Sequence, residues 1–102
     1  MNANVTTENG TMTAYIEGRL DSSNAVEFDN MLQEKMDGVS EIIMDLTKLR
    51  YMSSAGLRVL LSLQKKMNAE GGSMVVKNPS QMVMDVFEAT GFDTILTIEQ
   101  GE

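Results

Sequence analysis

Two adjacent serines, Ser53 and Ser54, stand in the stretch YMSSAGLRVLL, where a strand-like apolar run gives way to a helix-like one. Three chemistries are open to hydroxyls at such a junction. A serine oxygen at a helix start accepts a hydrogen bond from an amide with no partner inside the helix. A serine is a nucleophile where a base takes its proton. A serine also accepts a phosphoryl group, which brings about −1.5 to −2 charges at pH 7.

The nucleophile finds little support. The chain has no histidine and no cysteine, so it cannot assemble a Ser-His-Asp triad alone. SSAG is not the G-x-S-x-G elbow of hydrolases. Lys48, the nearby lysine in sequence, is expected in a loop. The glycine-rich phosphate loops are missing too, and Gly71-Gly72 precedes a strand-like run and reads as a turn. Without cysteine there are no disulfides and no thiolate-held metal. We therefore expect no catalytic residues, no metal site, no cofactor and no enzyme.

Capping accounts for one serine but not for Ala55-Gly56 behind it. Glycine in a helix costs roughly 1 kcal/mol against alanine. It is tolerated where the backbone must come close to something, either the sheet beneath or a partner above. Phosphorylation fits the pair better. A helix that starts outside the carboxyl end of a strand is reachable by a kinase. Its dipole and free amides tolerate the added charge, so the fold survives. A partner packed on the neutral serine does not.

The elements that would position these serines follow from the pattern of apolar residues. With 102 residues the chain holds one domain, 1–102, around one core. NVTTENGTMTAYIEGRL reads as two strands about an Asn9-Gly10 turn, with Met12, Ala14 and Ile16 on one face, closing at Gly18 to Asp21. DSSNAVEFDNMLQEKMDG reads as a helix burying Ala25, Phe28, Leu32 and Met36 and ending at Gly38; Asn24 with Glu27 suggests a capping box, and Ser22 and Ser23 are rival caps. EIIMDL is a buried strand, and TKLRYM the loop leaving it. A helix from Ser54 to about Glu70 buries Gly56, Val59, Leu60, Leu63 and Met67 and exposes Arg58, Ser62, Lys65 and Lys66. SMVVK is a strand. NPSQMVMDVFEATGF is a helix with Pro79 in its first turn, Met82, Val83, Val86 and Phe87 inward and Gly91 at its end; TILTIE is the last strand. The order β-β-α-β-α-β-α-β predicts an α/β fold, a mixed and mainly parallel sheet with helices packed on it.

The net charge is −7, from 15 acids and 8 bases. Such a surface repels phosphate backbones and anionic lipid, so no nucleic acid and no membrane surface is expected as partner, and a basic protein patch suits it better. The first residues have no basic region ahead of an apolar run, as a signal peptide would. No run approaches the ~18 apolar residues of a membrane span. A soluble cytoplasmic protein is expected.

DLTKLRYMSSAGLRVLL, Asp45 to Leu61, resembles the signature segment of STAS domains, and more narrowly that of bacterial anti-sigma factor antagonists. IEGRLDSSNA and GGSMVVKNPSQMVMDVFEATGFDTILTI are similar to the family's flanking blocks, in the same order along nearly the whole chain. The resemblance implies partner switching. The unphosphorylated antagonist binds an anti-sigma factor that is itself a serine kinase, and the sigma factor is released. The kinase then phosphorylates the antagonist and the complex separates; a serine phosphatase restores it. By position the acceptor falls on Ser54. Ser53 occupies the place of a frequent acid and is the second candidate acceptor, and Ala55 stands where Ser or Thr is common. Gly56 and Leu57 match the family's Gly-Leu. Asp21 matches the acid of the G-x-L-D block, a turn residue or a partner contact. Asp45 matches a strand-end aspartate, which caps the switch helix or touches a partner. The expected partner surface is Asp21, Ser53, Ser54, Ala55, Gly56, Leu57, Arg58 and Leu61; Leu57 and Leu61 follow Ser54 along one flank of the helix and border its inward stripe, as half-buried packing or as a docking strip beside the serine. Members often add a C-terminal helix for which IEQGE leaves no room, so a thinly covered sheet face is expected. The alternative is a STAS interaction or scaffold module that is never phosphorylated, part of a sensory or transport assembly.

Overall fold

In the computed structural model, which describes residues 1–101, the chain runs β1 (Asn2–Glu8), β2 (Thr11–Leu20), α1 (Ala25–Gln33), β3 (Glu41–Met52), α2 (Ser54–Ala69), β4 (Ser73–Lys77), α3 (Gln81–Thr90) and β5 (Ile98–Glu99). The strands form one sheet in the order β1-β2-β3-β4-β5. β1 and β2 are antiparallel, and every other neighbouring pair is parallel. Element order and sheet type are those read from the sequence. Asn9 and Gly10 both have positive φ, 52° and 84°, as the tight turn between β1 and β2 requires.

The sheet advances one strand at a time, and right-handed crossovers then set all three helices on one face. Alternation along the strands agrees. Met12, Ala14 and Ile16 of β2, Ile42, Met44 and Leu46 of β3, and Met74 and Val76 of β4 are buried. The helices meet them with Phe28 and Leu32 of α1, Leu60, Leu63 and Met67 of α2, and Val83 and Phe87 of α3. On the other face of β2, Tyr15 and Glu17 are exposed.

Several expectations need correcting. TKLRYM is not a loop; it is the second half of β3. Leu46, Leu49 and Met52 are all buried but are spaced by three, so strict alternation stops at Leu46. Register shifts against β2, between Tyr15 and Glu17 and between Gly18 and Arg19, absorb the irregular spacing. α1 ends at Gln33 rather than Gly38, and single turns carry the chain on through buried Met36. Asn24 precedes α1, but its side chain makes no cap bond to the helix. Pro79 lies one residue before the helix cap: Ser80 caps α3, its oxygen accepting from the Val83 amide at 3.2 Å. Met82 is 42% exposed, because inward-facing Val83 and Phe87 define the face of α3 and Met82 lies off it. The final run is a 3-10 turn, Phe92–Thr94, and then a strand of only two residues.

Candidate functional site

β2 and β3 are parallel neighbours, and their ends are level: Leu20 pairs with Met52, and Arg19 with Tyr51. The loops that leave them therefore start side by side. Asp21 opens one and Ser53 the other, which brings together two segments far apart in sequence. The site lies outside the carboxyl ends of parallel strands, where open α/β sheets place their binding surfaces.

The two serines have different jobs. Ser53 is extended, at φ −90° and ψ 175°, and is the N-cap of α2. Its oxygen accepts from the amides of Ala55 at 3.2 Å and Gly56 at 3.4 Å. Its own amide donates to the Leu20 carbonyl at 2.9 Å, and its carbonyl accepts from the Leu57 amide at 3.0 Å. Ser53 is half-buried and bound on every side. Ser54 is the first residue of the helix and is exposed, and among the described residues its hydroxyl has no hydrogen-bond partner.

Gly56 answers why an Ala-Gly pair follows. It is buried, and a Cβ built there would lie 2.8 Å from Leu20 Cγ and 3.0 Å from the Leu20 carbonyl oxygen. The close approach is to the sheet beneath, at the residue whose carbonyl also holds Ser53. Leu20 thus fixes the first turn of α2 from two directions.

The loop after β2 is built around Asp21. The Asp21 carboxylate accepts from the Ser23 hydroxyl at 2.6 Å and the Ser23 amide at 3.0 Å. Its second oxygen lies 3.7 Å from Arg19 Nε. The hydrogen bonds from Ser23, with a smaller share from Arg19, hold the Asp21 carboxyl below its ordinary pKa. Asn24 ties the loop to the strand: its side chain accepts from the Asp21 amide and donates to the Arg19 carbonyl, each at 3.0 Å. Those two bonds explain why it does not cap α1. The Arg19 guanidinium lies over the Tyr51 ring, 4.2 Å from its centre.

The structure brings Asp21, Ser53, Ser54, Ala55 and Arg58 to this end of the sheet, with Ser54 and Arg58 exposed. Leu57 is different: it is only 2% exposed, a core residue and not a docking contact. Gly56 is likewise covered by Leu20. Leu61 is half-buried and keeps some surface. Asp45 is not at a strand end, since β3 runs on to Met52, and its carboxylate accepts from the Thr47 amide at 3.0 Å rather than capping α2. Arg19 and Tyr51 were not singled out from sequence, and Asn24 was singled out only as a helix cap. A signal for the first two was present: each stands two residues before its loop, Arg19 before Asp21 and Tyr51 before Ser53, so in level parallel strands they must be neighbours.

Residues 2–102 match the STAS domain family. BtrV of Bordetella bronchiseptica, a candidate anti-sigma factor antagonist, is 34% identical over 90 residues, covering 87% of this chain and 78% of its own. The anti-sigma-B factor antagonist of Staphylococcus aureus is 24% identical over 102 residues, 99% of this chain and 94% of its own. Among solved structures, the anti-sigma factor antagonist SpoIIAA in its unphosphorylated form superposes with a TM-score of 0.87 at 20% identity, over 99% of this chain and 89% of that one. The phosphorylated form of Bacillus SpoIIAA gives 0.80 at 19% identity, over 99% and 92%. The chain belongs to the STAS domain family.

Proposed function

We propose that this protein is an anti-sigma factor antagonist whose binding is switched by phosphorylation of Ser54. The observation that carries the reading is the division of labour between the serines. Ser53 spends its oxygen on two helix amides, whereas Ser54 offers a free, exposed hydroxyl one residue later. That the Staphylococcus aureus relative and SpoIIAA are anti-sigma factor antagonists supports it, as does SpoIIAA's occurrence in both phosphorylation states.

In this reading the unmodified protein docks on an anti-sigma factor through the Asp21 loop and the first turn of α2, and the sigma factor is set free. The anti-sigma factor is a serine kinase. The Ser54 oxygen attacks the γ-phosphorus of its ATP, a P–O bond forms, and ADP leaves. The base that takes the hydroxyl proton comes from the kinase, because this chain has no histidine. The phosphate sits on the first residue of α2, where the helix dipole favours negative charge, so the fold is kept. Desolvating that charge against the partner is costly, and the complex separates. A serine phosphatase returns the protein to its binding form.

The test is a pair of variants. Ser54→Ala should fold and bind the anti-sigma factor as wild type does. Ser54→Asp should fold but bind at least tenfold more weakly. Equal binding by Ser54→Asp and wild type would reduce the serines to a cap and a bystander.

A further inference from the structure

Arg58 is four residues after Ser54 on α2, and both side chains are exposed. Positions four apart on a helix are neighbours on its surface, and an anion placed N-terminal to a cation is the favoured order. Nothing else claims Arg58. Among the described residues it makes no ion pair and no hydrogen bond, and the arginine that is paired, Arg19, is committed to Asp21 and to the Tyr51 ring. α2 contains no acidic residue, so no carboxylate on the helix competes for it. The residue at the alternative spacing from Ser54 is Leu57, which is buried. The first turns of α2 therefore hold one free hydroxyl and one free guanidinium, one helical turn apart.

We infer that Arg58 is the intramolecular partner of phosphoserine 54. Its planar fork suits a phosphate, giving charge-assisted hydrogen bonds to two oxygens. The inference rests on Ser54 being the acceptor, and it adds what the modification does to the surface. Phosphorylation places a dianion on the docking face. It also takes the Arg58 charge away from any acidic group of the partner that Arg58 met before. The switch then changes two side chains at once, although only one is modified. It also qualifies the argument from net charge: an acidic chain has an unpaired arginine beside its switch residue, so the partner's facing surface need not be basic throughout.

The experiment needs no kinase. Phosphoserine is installed genetically at position 54 in the otherwise unchanged chain, and the phosphate is titrated by phosphorus NMR in wild type, Arg58→Gln and Arg58→Lys. The remaining charged groups near this end, Arg19, Asp21 and Arg50, are common to all three. A free phosphoserine loses its second proton near pH 6. With Arg58 present the apparent pKa should lie lower than in Arg58→Gln by roughly 0.2–0.4 units, the shift equivalent to one surface helix pair, and more if both phosphate oxygens are engaged. Arg58→Lys should recover part of the shift. In 1 M salt the difference should shrink, as a surface pair demands. Identical pKa values in wild type and Arg58→Gln would overturn the proposal. The reading of Ser54 as acceptor is tested separately: a kinase that labels no residue of the unmodified chain defeats that reading and leaves the titration result standing.

Discussion

Gly56→Ala is the substitution that bears most sharply on how the switch helix is held. In an isolated helix it would be stabilising, because alanine is favoured over glycine by about 1 kcal/mol. Here the added methyl would fall 2.8 Å from Leu20 Cγ and 3.0 Å from the Leu20 carbonyl oxygen, closer than carbon atoms pack. Leu20 is fully buried, and its carbonyl already accepts from the Ser53 amide, so neither group has room to yield. Overpacking of this kind costs typically 1–3 kcal/mol. Backbone is among the atoms approached, which favours the upper half of that range and leaves a net loss of about 1–2 kcal/mol. For a domain of this size that corresponds to roughly 5–10 °C in Tm. Urea denaturation followed by circular dichroism would measure it as a fall in midpoint at unchanged slope. Relief of the clash lifts α2 from β2, so the Ser53 cap should weaken together with stability. A Gly56→Ala variant as stable as wild type, or more so, would show that α2 does not rest on Leu20 as described.

The remaining expectations are simpler. Ser53→Ala should destabilise by about 0.5–2 kcal/mol through loss of the cap, whereas Ser54→Ala should lie within about 0.5 kcal/mol of wild type in the same denaturation assay; a reversed order would exchange the roles of the two serines. The lowered pKa of Asp21 stabilises the fold at pH values above its ordinary 3.8, and that contribution is lost as pH falls below 3.8 through the folded-state value. The stability gap between wild type and Asp21→Asn should thus be constant from pH 7 to about 5 and narrow in acid; a gap that does not change down to pH 2 would mean that Ser23 and Arg19 do not favour the ionised carboxylate.

Much of this architecture is legible in the sequence for identifiable reasons. The helix stripe Val59, Leu60, Leu63 and Met67 and the turn at Asn9-Gly10 depend on local periodicity and local backbone needs, and both are found as read. The second half of β3 was missed because its buried residues, Leu46, Leu49 and Met52, follow no single period; only pairing with β2 makes it a strand. Leu57 stays open between packing and docking in the sequence for a related reason. Its position on the helix flank is ambiguous until the neighbouring elements show which flank is covered. At the site, residue types pointed to the serine pair, but nothing local could tell the cap from the free hydroxyl. That difference comes from the extended backbone of Ser53 and from the Leu20 carbonyl on the next strand, a contact between residues far apart in the chain. Asn24 shows the same limit: its spacing from Glu27 matches a capping box, yet its side chain is drawn back to β2 by the Asp21 amide and the Arg19 carbonyl.

In the proposed switch, Ser54 is where charge is added. The direct measurement is to incubate wild type, Ser53→Ala and Ser54→Ala with the cognate anti-sigma factor kinase and ATP, and to locate the phosphate by mass spectrometry of the peptide spanning both serines. Wild type and Ser53→Ala should each gain one phosphate, on Ser54, and Ser54→Ala should gain none. Label on Ser53 in wild type, retained in Ser54→Ala and lost in Ser53→Ala, would contradict the account, because it would require the kinase to take the hydroxyl that caps the helix and leave the free one untouched.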